Sequence, residues 1–174
     1  TGSISDTNIV KGIIIDKNLD LEKLPRKLDG GKAVVFSCPL EIEKTSYDAE
    51  IEISTTEQWS SFMEAEEEIL NHKAKQIINS GAKIVFCAES IDARIMHKLA
   101  DNDICVLASM EKAGAEDVAL ATGALLIDHV DSIDEESLGE FESLLVETFD
   151  SSEGLRDRIY LHVGENSGLI TIDV

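Results

Sequence analysis

Apolar residues recur at spacings of three, four and seven along residues 54–81. Trp59, Phe62, Met63, Ile69, Leu70, Ala74, Ile77 and Ile78 fall on one face, as in an amphipathic helix. Ser54 and Glu57 stand at capping-box spacing, so each side chain can satisfy a backbone donor left free at the helix start. Gly81 supplies a C′ residue that tolerates the left-handed conformation. Such a helix is about 37 Å long, against about 30 Å for the width of a domain of this size. Its leading half is therefore expected to overhang the body that holds its C-terminal half. Glu66 and Lys73 break the stripe, and Glu66-Glu67-Glu68 is too charged for full burial, which divides the face into a core patch and a far-end patch. The same spacing is met if Trp59, Phe62 and Met63 pack on the preceding segment within a single core.

Ahead of the helix, a polar lead-in to Thr7 gives way to a strand over residues 9–16 (IVKGIIID). Residues 17–31 form a connection with Pro25 and a Gly30-Gly31 turn, and Leu19, Leu21, Leu24 and Leu28 lay it on apolar surface. Residues 33–38 (AVVFSC) are a continuous apolar run of the buried-strand kind, ended by Pro39. Residues 41–53 then alternate acids with isoleucines, the period-two pattern of a half-exposed strand pair or extended arm.

Beyond Gly81 the order is strand 83–88, helix from a Ser90 cap to Asp101 with Ile91, Ile95 and Leu99 on one face, strand 104–108, helix 111–122 closed by Gly123, and strand 124–127. That alternation with short connections predicts an α/β fold on a right-handed parallel sheet. Residues 142–149, 158–163 and 168–174 read as further strands, separated by polar Gly-containing turns at 150–154 and 164–168. Residues 140–146 fit a helical turn equally well.

The 174 residues suit one domain, or one with an appendage, and can bury a sizeable core. A 43% hydrophobic, 29% charged composition is that of a globular chain. No apolar run is long enough to cross a bilayer, no charged-then-apolar leader is present, and Thr1-Gly2-Ser3 reads as an interior or engineered start. Thirty-five acids against 15 bases give a formal charge of −20. Phosphate binding needs a cationic surface, so nucleic acid and anionic membranes are excluded as partners. Solubility in a crowded or salty cytosol accounts for the acidity.

Cys38, Cys87 and Cys105 are odd in number, widely spaced and set in apolar runs without CxxC or Cys/His ligand spacing. They read as small buried hydrophobes in a reducing compartment. No phosphate loop, GxGxxG, HExxH or GxSxG occurs, and His72, His97, His129 and His162 read as scattered, with His97 on an exposed helix face. Nothing in the sequence supports catalysis, and no metal site is expected.

Several strings in order are more specific: GSISDT, VKGIIIDK, CPLEIEK, FMEAEEEIL, KIVFC and ALATGALLIDHVDSIDEESLG. In order and spacing the chain resembles the group II chaperonins, the thermosome and its eukaryotic cytosolic relative, over the apical domain of one subunit. The resemblance covers nearly everything from Ser3 to Val174. It departs at Gly164-Glu165-Asn166-Ser167-Gly168, where the family has a Gly-Cys-Lys-Asn-Pro type of turn.

The resemblance implies a three-layer β/β/α swivelling domain with a parallel sheet core and a long helical protrusion at about residues 43–66, a built-in lid over a folding chamber. Residues of about 1–8 and 164–174 would lie near the junction to the intermediate domain. The domain would hold no cofactor; ATP and Mg would belong to the equatorial domain of the intact subunit, an ATPase, and nucleotide binding there would rotate this domain as a rigid body. Implied partners are unfolded or partly folded polypeptides and neighbouring subunits of a double ring, in the cytoplasm.

Two surfaces are candidates for holding polypeptide. One is the protrusion tip, with Tyr47, Ile51, Ile53, Trp59, Phe62 and Met63, whose apolar side chains suit whatever an unfolded chain exposes. The other is a groove between the long helix and the helix after Ser90, where by resemblance Arg94, His97, Lys98 and Asp101 would face the chamber. Two alternatives remain open: a swivelling or ligand-binding α/β domain of a multidomain enzyme, and a passive scaffold module.

Overall fold

The computed structural model describes residues 12–42 and 56–163. Residues 9–11 of the first expected strand, the arm over 43–53, the Ser54 half of the capping box, the 164–168 turn and the 168–174 strand lie outside the described residues. So do Tyr47, Ile51 and Ile53.

The parallel runs form one sheet. β3 (Gly31–Phe36), β4 (Ala82–Cys87), β5 (Cys105–Leu107) and β6 (Leu126–Ile127) lie in the order β5-β4-β3-β6. α1 (Thr56–Ser80) joins β3 to β4, and α2 (Ala93–Asp101) joins β4 to β5, both stepping one way across the sheet. α3 (Glu111–Thr122) then carries the chain back to the other side of β3. Right-handed crossovers that step in opposite directions place their helices on opposite faces, and the buried residues divide accordingly. Val34, Phe36, Val85 and Cys87 cluster with Leu70, Ala74 and Ile77 of α1 and Ile95 and Leu99 of α2. Their neighbours Ala33, Val35, Ile84 and Phe86 cluster with Ala115, Val118 and Ala119 of α3. Period-two alternation in continuous apolar strands thus builds two cores, one on each face.

The second core is closed by an antiparallel sheet in the order β1-β9-β8-β2, made of β1 (Gly12–Asp16), β2 (Lys27–Leu28), β8 (Ser143–Ser151) and β9 (Gly154–His162). Leu144, Val146, Ile159 and Leu161 face inward from it. Residues 140–146 are the end of one strand and the start of another with a bend at Glu142 between them: β7 (Gly139–Phe141) pairs antiparallel with Gly31–Ala33 of β3, beside the Val35 and Phe36 pairing with β6, and β8 follows in the other sheet. Gly139 makes this fit, because a Cβ there would stand 2.6 Å from Thr122 Oγ1 and 2.7 Å from its carbonyl oxygen. Gly139→Ala is expected to cost about 1–3 kcal/mol, read as a fall of several degrees in thermal midpoint; an unchanged midpoint would show that the Thr122 turn yields.

The connection over residues 17–26 lies on apolar surface, with Leu24 buried and Leu19 and Leu21 packed on the first core. Asp157 fastens it. Its carboxylate accepts from the Leu19 N–H at 3.0 Å, Thr148 Oγ1 at 2.6 Å and Arg26 Nη1 at 3.2 Å, and its own N–H donates to Asn18 Oδ1 at 2.8 Å.

Candidate functional site

On α1, Trp59, Met63, Leu70, Ala74 and Ile77 are spaced by four, seven, four and three residues, so they form one stripe. Leu70, Ala74 and Ile77 are at most 2% exposed, whereas Trp59 is 52% and Met63 46% exposed. From Thr56 to Ala65 every residue except the half-buried Phe62 is exposed. The stripe continues while the body beneath it stops. Among the described residues Trp59 and Met63 are thus not sealed in the core, and the preceding segment on which they would pack in the single-core alternative lies outside those residues. Trp59 and Phe62 stack with ring centroids 5.9 Å apart, which presents a flat apolar face. Gly81 ends the helix at φ +83, its N–H donating to the Ile78 carbonyl.

The second candidate surface differs from its expectation. Asp92, not Ser90, caps α2: its side chain accepts the Arg94 N–H at 2.8 Å. Ser90 instead donates its hydroxyl to Glu41. The cap is displaced because Ile91 is still bridged to Leu40 and buried, prolonging the sheet by one residue before the helix turns. Arg94 reaches Glu66 at 3.2 Å and Asp92 at 3.1 Å, Lys98 reaches Glu67 at 3.1 Å, and Asp101 meets Lys23 at 2.7 Å. The acids that interrupt the α1 stripe are thus the partners of the α2 bases, and this groove is an ionic seam. His97 is exposed on the outer side. Burial pushes the Asp92 carboxyl up, but hydrogen bonds from Arg94 outweigh it and hold the group below the usual carboxylate range. The hydrogen bond from Lys23 likewise holds Asp101 low. Each pair keeps at least one side chain open to solvent, which screens it and leaves it a small contributor to stability.

A further group escapes sequence reading. His72 Nε2 lies 3.0 Å from Asp131 Oδ1, Gln76 donates to the same oxygen at 2.8 Å, and His129 Nδ1 accepts the Asp131 N–H at 3.1 Å. The Gln76 and His72 contacts hold the Asp131 carboxyl low. Two histidines read as scattered are brought to one carboxylate by the packing of α1 against the 3-10 turn at Val130–Ser132. The helical spacing of His72 and Gln76 was the available signal, but nothing in the sequence marked Asp131 as their partner. Among the described residues no group of three or more His, Cys, Asp or Glu is arranged to hold a metal ion. Burial pushes the Cys87 and Cys105 thiols up to about 12, so both stay protonated at neutral pH and are poor nucleophiles. No helix among the described residues is long and apolar enough to cross a membrane.

A doubly wound α/β domain of this kind has counterparts among known proteins. The model of the TCP-1/cpn60 chaperonin family matches residues 1–161, and the chain belongs to that family. Its similarities lie with the group II branch. It is 38% identical to a thermosome subunit of Methanopyrus kandleri, over 81% of this chain and 26% of that protein. It is 36% identical to thermosome subunit beta of Thermococcus kodakarensis, over the same shares. The open-state monomer of a group II chaperonin from Methanococcoides burtonii has the same fold, with a TM-score of 0.66 at 24% identity, over 94% of this chain and 34% of that one. The chain thus spans about a quarter of the length of the thermosome subunits it matches.

Proposed function

We propose that this domain is the apical, polypeptide-holding part of a group II chaperonin subunit, and that the leading half of α1 is its client-binding and lid-forming surface. The observation that carries the reading is the α1 stripe, which passes from full burial at Leu70 to about half exposure at Met63 and Trp59. Soluble domains seldom leave large apolar side chains adjacent and uncovered without a use. An aromatic side chain buries roughly 150–250 Å², worth roughly 4–6 kcal/mol at about 25 cal/mol per Å² before ordering costs. That attraction is non-directional, and the thioether and the stacked rings adapt to varied partners. Tyr47, Ile51 and Ile53 belong to the same proposed tip. Arg94, His97, Lys98 and Asp101 form a secondary surface, on which His97 is already exposed and Arg94 and Lys98 are freed when the seam to Glu66 and Glu67 opens. ATP and Mg are assigned to the rest of the subunit, ring neighbours to its assembly, and the cytoplasm to its location. This domain carries no catalytic site in the proposal.

The test is whether the 174-residue chain slows aggregation of a chemically denatured client, and whether Phe62→Asp combined with Met63→Asp removes that protection. The double variant is expected to lose most of the effect while keeping its thermal midpoint and circular dichroism. Protection that survives the substitution rejects the tip as the holding surface.

A further inference from the structure

Apart from α1, the described residues leave a backbone edge open. β1 is the edge strand of the antiparallel sheet, paired among the described residues only with β9. The direction of its free groups follows from the ladder. The Val146 N–H donates to the Arg26 carbonyl and so points away from β9, while the Asp157 N–H points to Asn18 on the β1 side. Hydrogen-bonding direction alternates along an antiparallel strand. Ile159 and Leu161 therefore bond Ile15 and Ile13, and the backbone groups of Ile14 and Asp16 face outward. They face a groove of about 420 Å³ whose other wall is α3, through Met110, Gly114 and Asp117.

A strand edge beside a helix flank is the geometry in which an extended segment adds as a further strand. The backbone supplies sequence-tolerant hydrogen bonds, and the helix reads alternate side chains. The groove also has a sign. Asp16 is engaged by Arg158 at 2.8 Å; of the other charges lining the groove, the single cation Lys17 stands against Glu111 and Asp117, which are exposed at the helix wall and make no ion pair among the described residues, so the balance is negative.

We infer that the β1–α3 groove is a second polypeptide site, which takes an extended, lysine- or arginine-bearing segment of a non-native chain by strand addition to Ile14 and Asp16, opposite Glu111 and Asp117. The partner class rests on the function proposed above, but the residues are separate from the α1 tip. Exposed unpaired backbone is common to non-native chains, so an edge of this kind selects for unfolding more than for sequence.

The probe is a short, end-blocked alternating Lys-Val peptide, with its Glu-Val counterpart, titrated onto the 174-residue chain. The Lys-Val peptide is expected to bind at least tenfold tighter at low salt and to slow amide exchange at Ile14 and Asp16. Gly114→Leu fills the groove without strain, since a Cβ there meets Met110 only at 3.6 Å, and it favours the helix. Ile14→Pro removes the outward N–H at an edge position, where proline is tolerated. Each is expected to weaken Lys-Val binding tenfold or more, while the Phe62→Asp, Met63→Asp variant leaves it unchanged.

Binding that survives Gly114→Leu, or that is lost in the tip variant, overturns the groove and leaves the holding function standing. Equal binding of the two peptides, or none by either while client protection persists, does the same. A dimer split by Ile14→Pro would assign the edge to a second copy, and tighter Lys-Val binding after removal of residues 164–174 would assign it to the chain's own end; both overturn the inference. Failure of the unaltered chain to protect a client counts against the function reading instead.

Discussion

Asp157→Ala is expected to lower folding stability by about 2–4 kcal/mol, because it strands several partners at once. The side chain is only 8% exposed and accepts from Leu19, Thr148 and Arg26. Arg26 is partly solvated and can return to water, so most of the loss comes from the Leu19 N–H and the Thr148 hydroxyl left without an acceptor. Asp157→Asn keeps the shape and one acceptor and should cost about half as much. Urea unfolding of the three proteins measures the series. A cost below about 0.5 kcal/mol for the alanine variant would mean that water replaces the carboxylate freely.

The same residue sets an acid limit. Burial pushes its carboxyl up, but the hydrogen bonds from Thr148, Leu19 and Arg26 outweigh burial and hold it below the ordinary range. A group whose folded value is depressed contributes its full stabilisation above the unfolded value of about 3.9. That contribution is lost as the pH falls through the lower folded value. The stability gap between the unaltered chain and Asp157→Asn should therefore be constant near neutrality and narrow below about pH 4. A gap independent of pH would assign the effect to shape alone.

Asp157 also shows what kind of information the sequence carries. β9 begins at Gly154, so alternation puts Asp157 on the inward face with Ile159 and Leu161. A strand expected to start at Arg158 leaves that acid in the unassigned stretch after the 150–154 turn. The parallel sheet was legible because apolar runs such as AVVFSC and KIVFCA are buried on both faces and need no pairing information. α3 was legible at both ends, since Gly123 closes it at φ +82. Residues 140–146 were ambiguous because a short alternating segment satisfies two periods, and the partner that decides for strand, β3, lies more than 100 residues earlier. The ion pairs of the candidate groove were hidden for a related reason. Glu66 and Glu67 look like interruptions until Arg94 and Lys98 are packed against them. Sequence spacing names the face of a helix; it does not name what lies beneath that face.

That last distinction yields the other large expected effect. Leu70→Ala should cost about 2–5 kcal/mol, the range for truncating a buried leucine in a packed core, because Leu70 is fully buried against the parallel sheet. Met63→Ala and Trp59→Ala, on the same stripe one and two steps toward the N-terminus, should each change stability by no more than about 0.5 kcal/mol, as exposed positions do. The contrast separates packing from function within one helix. If Leu70→Ala weakens client protection only in proportion to unfolding, while Met63→Ala weakens it with stability intact, the stripe has two owners, the core and the client. A Trp59 or Met63 truncation as destabilising as Leu70→Ala would mean that the leading half of α1 is covered in solution, and the holding surface would have to be sought elsewhere. Thermal and urea unfolding of the three single variants, run beside the aggregation assay, distinguishes these outcomes.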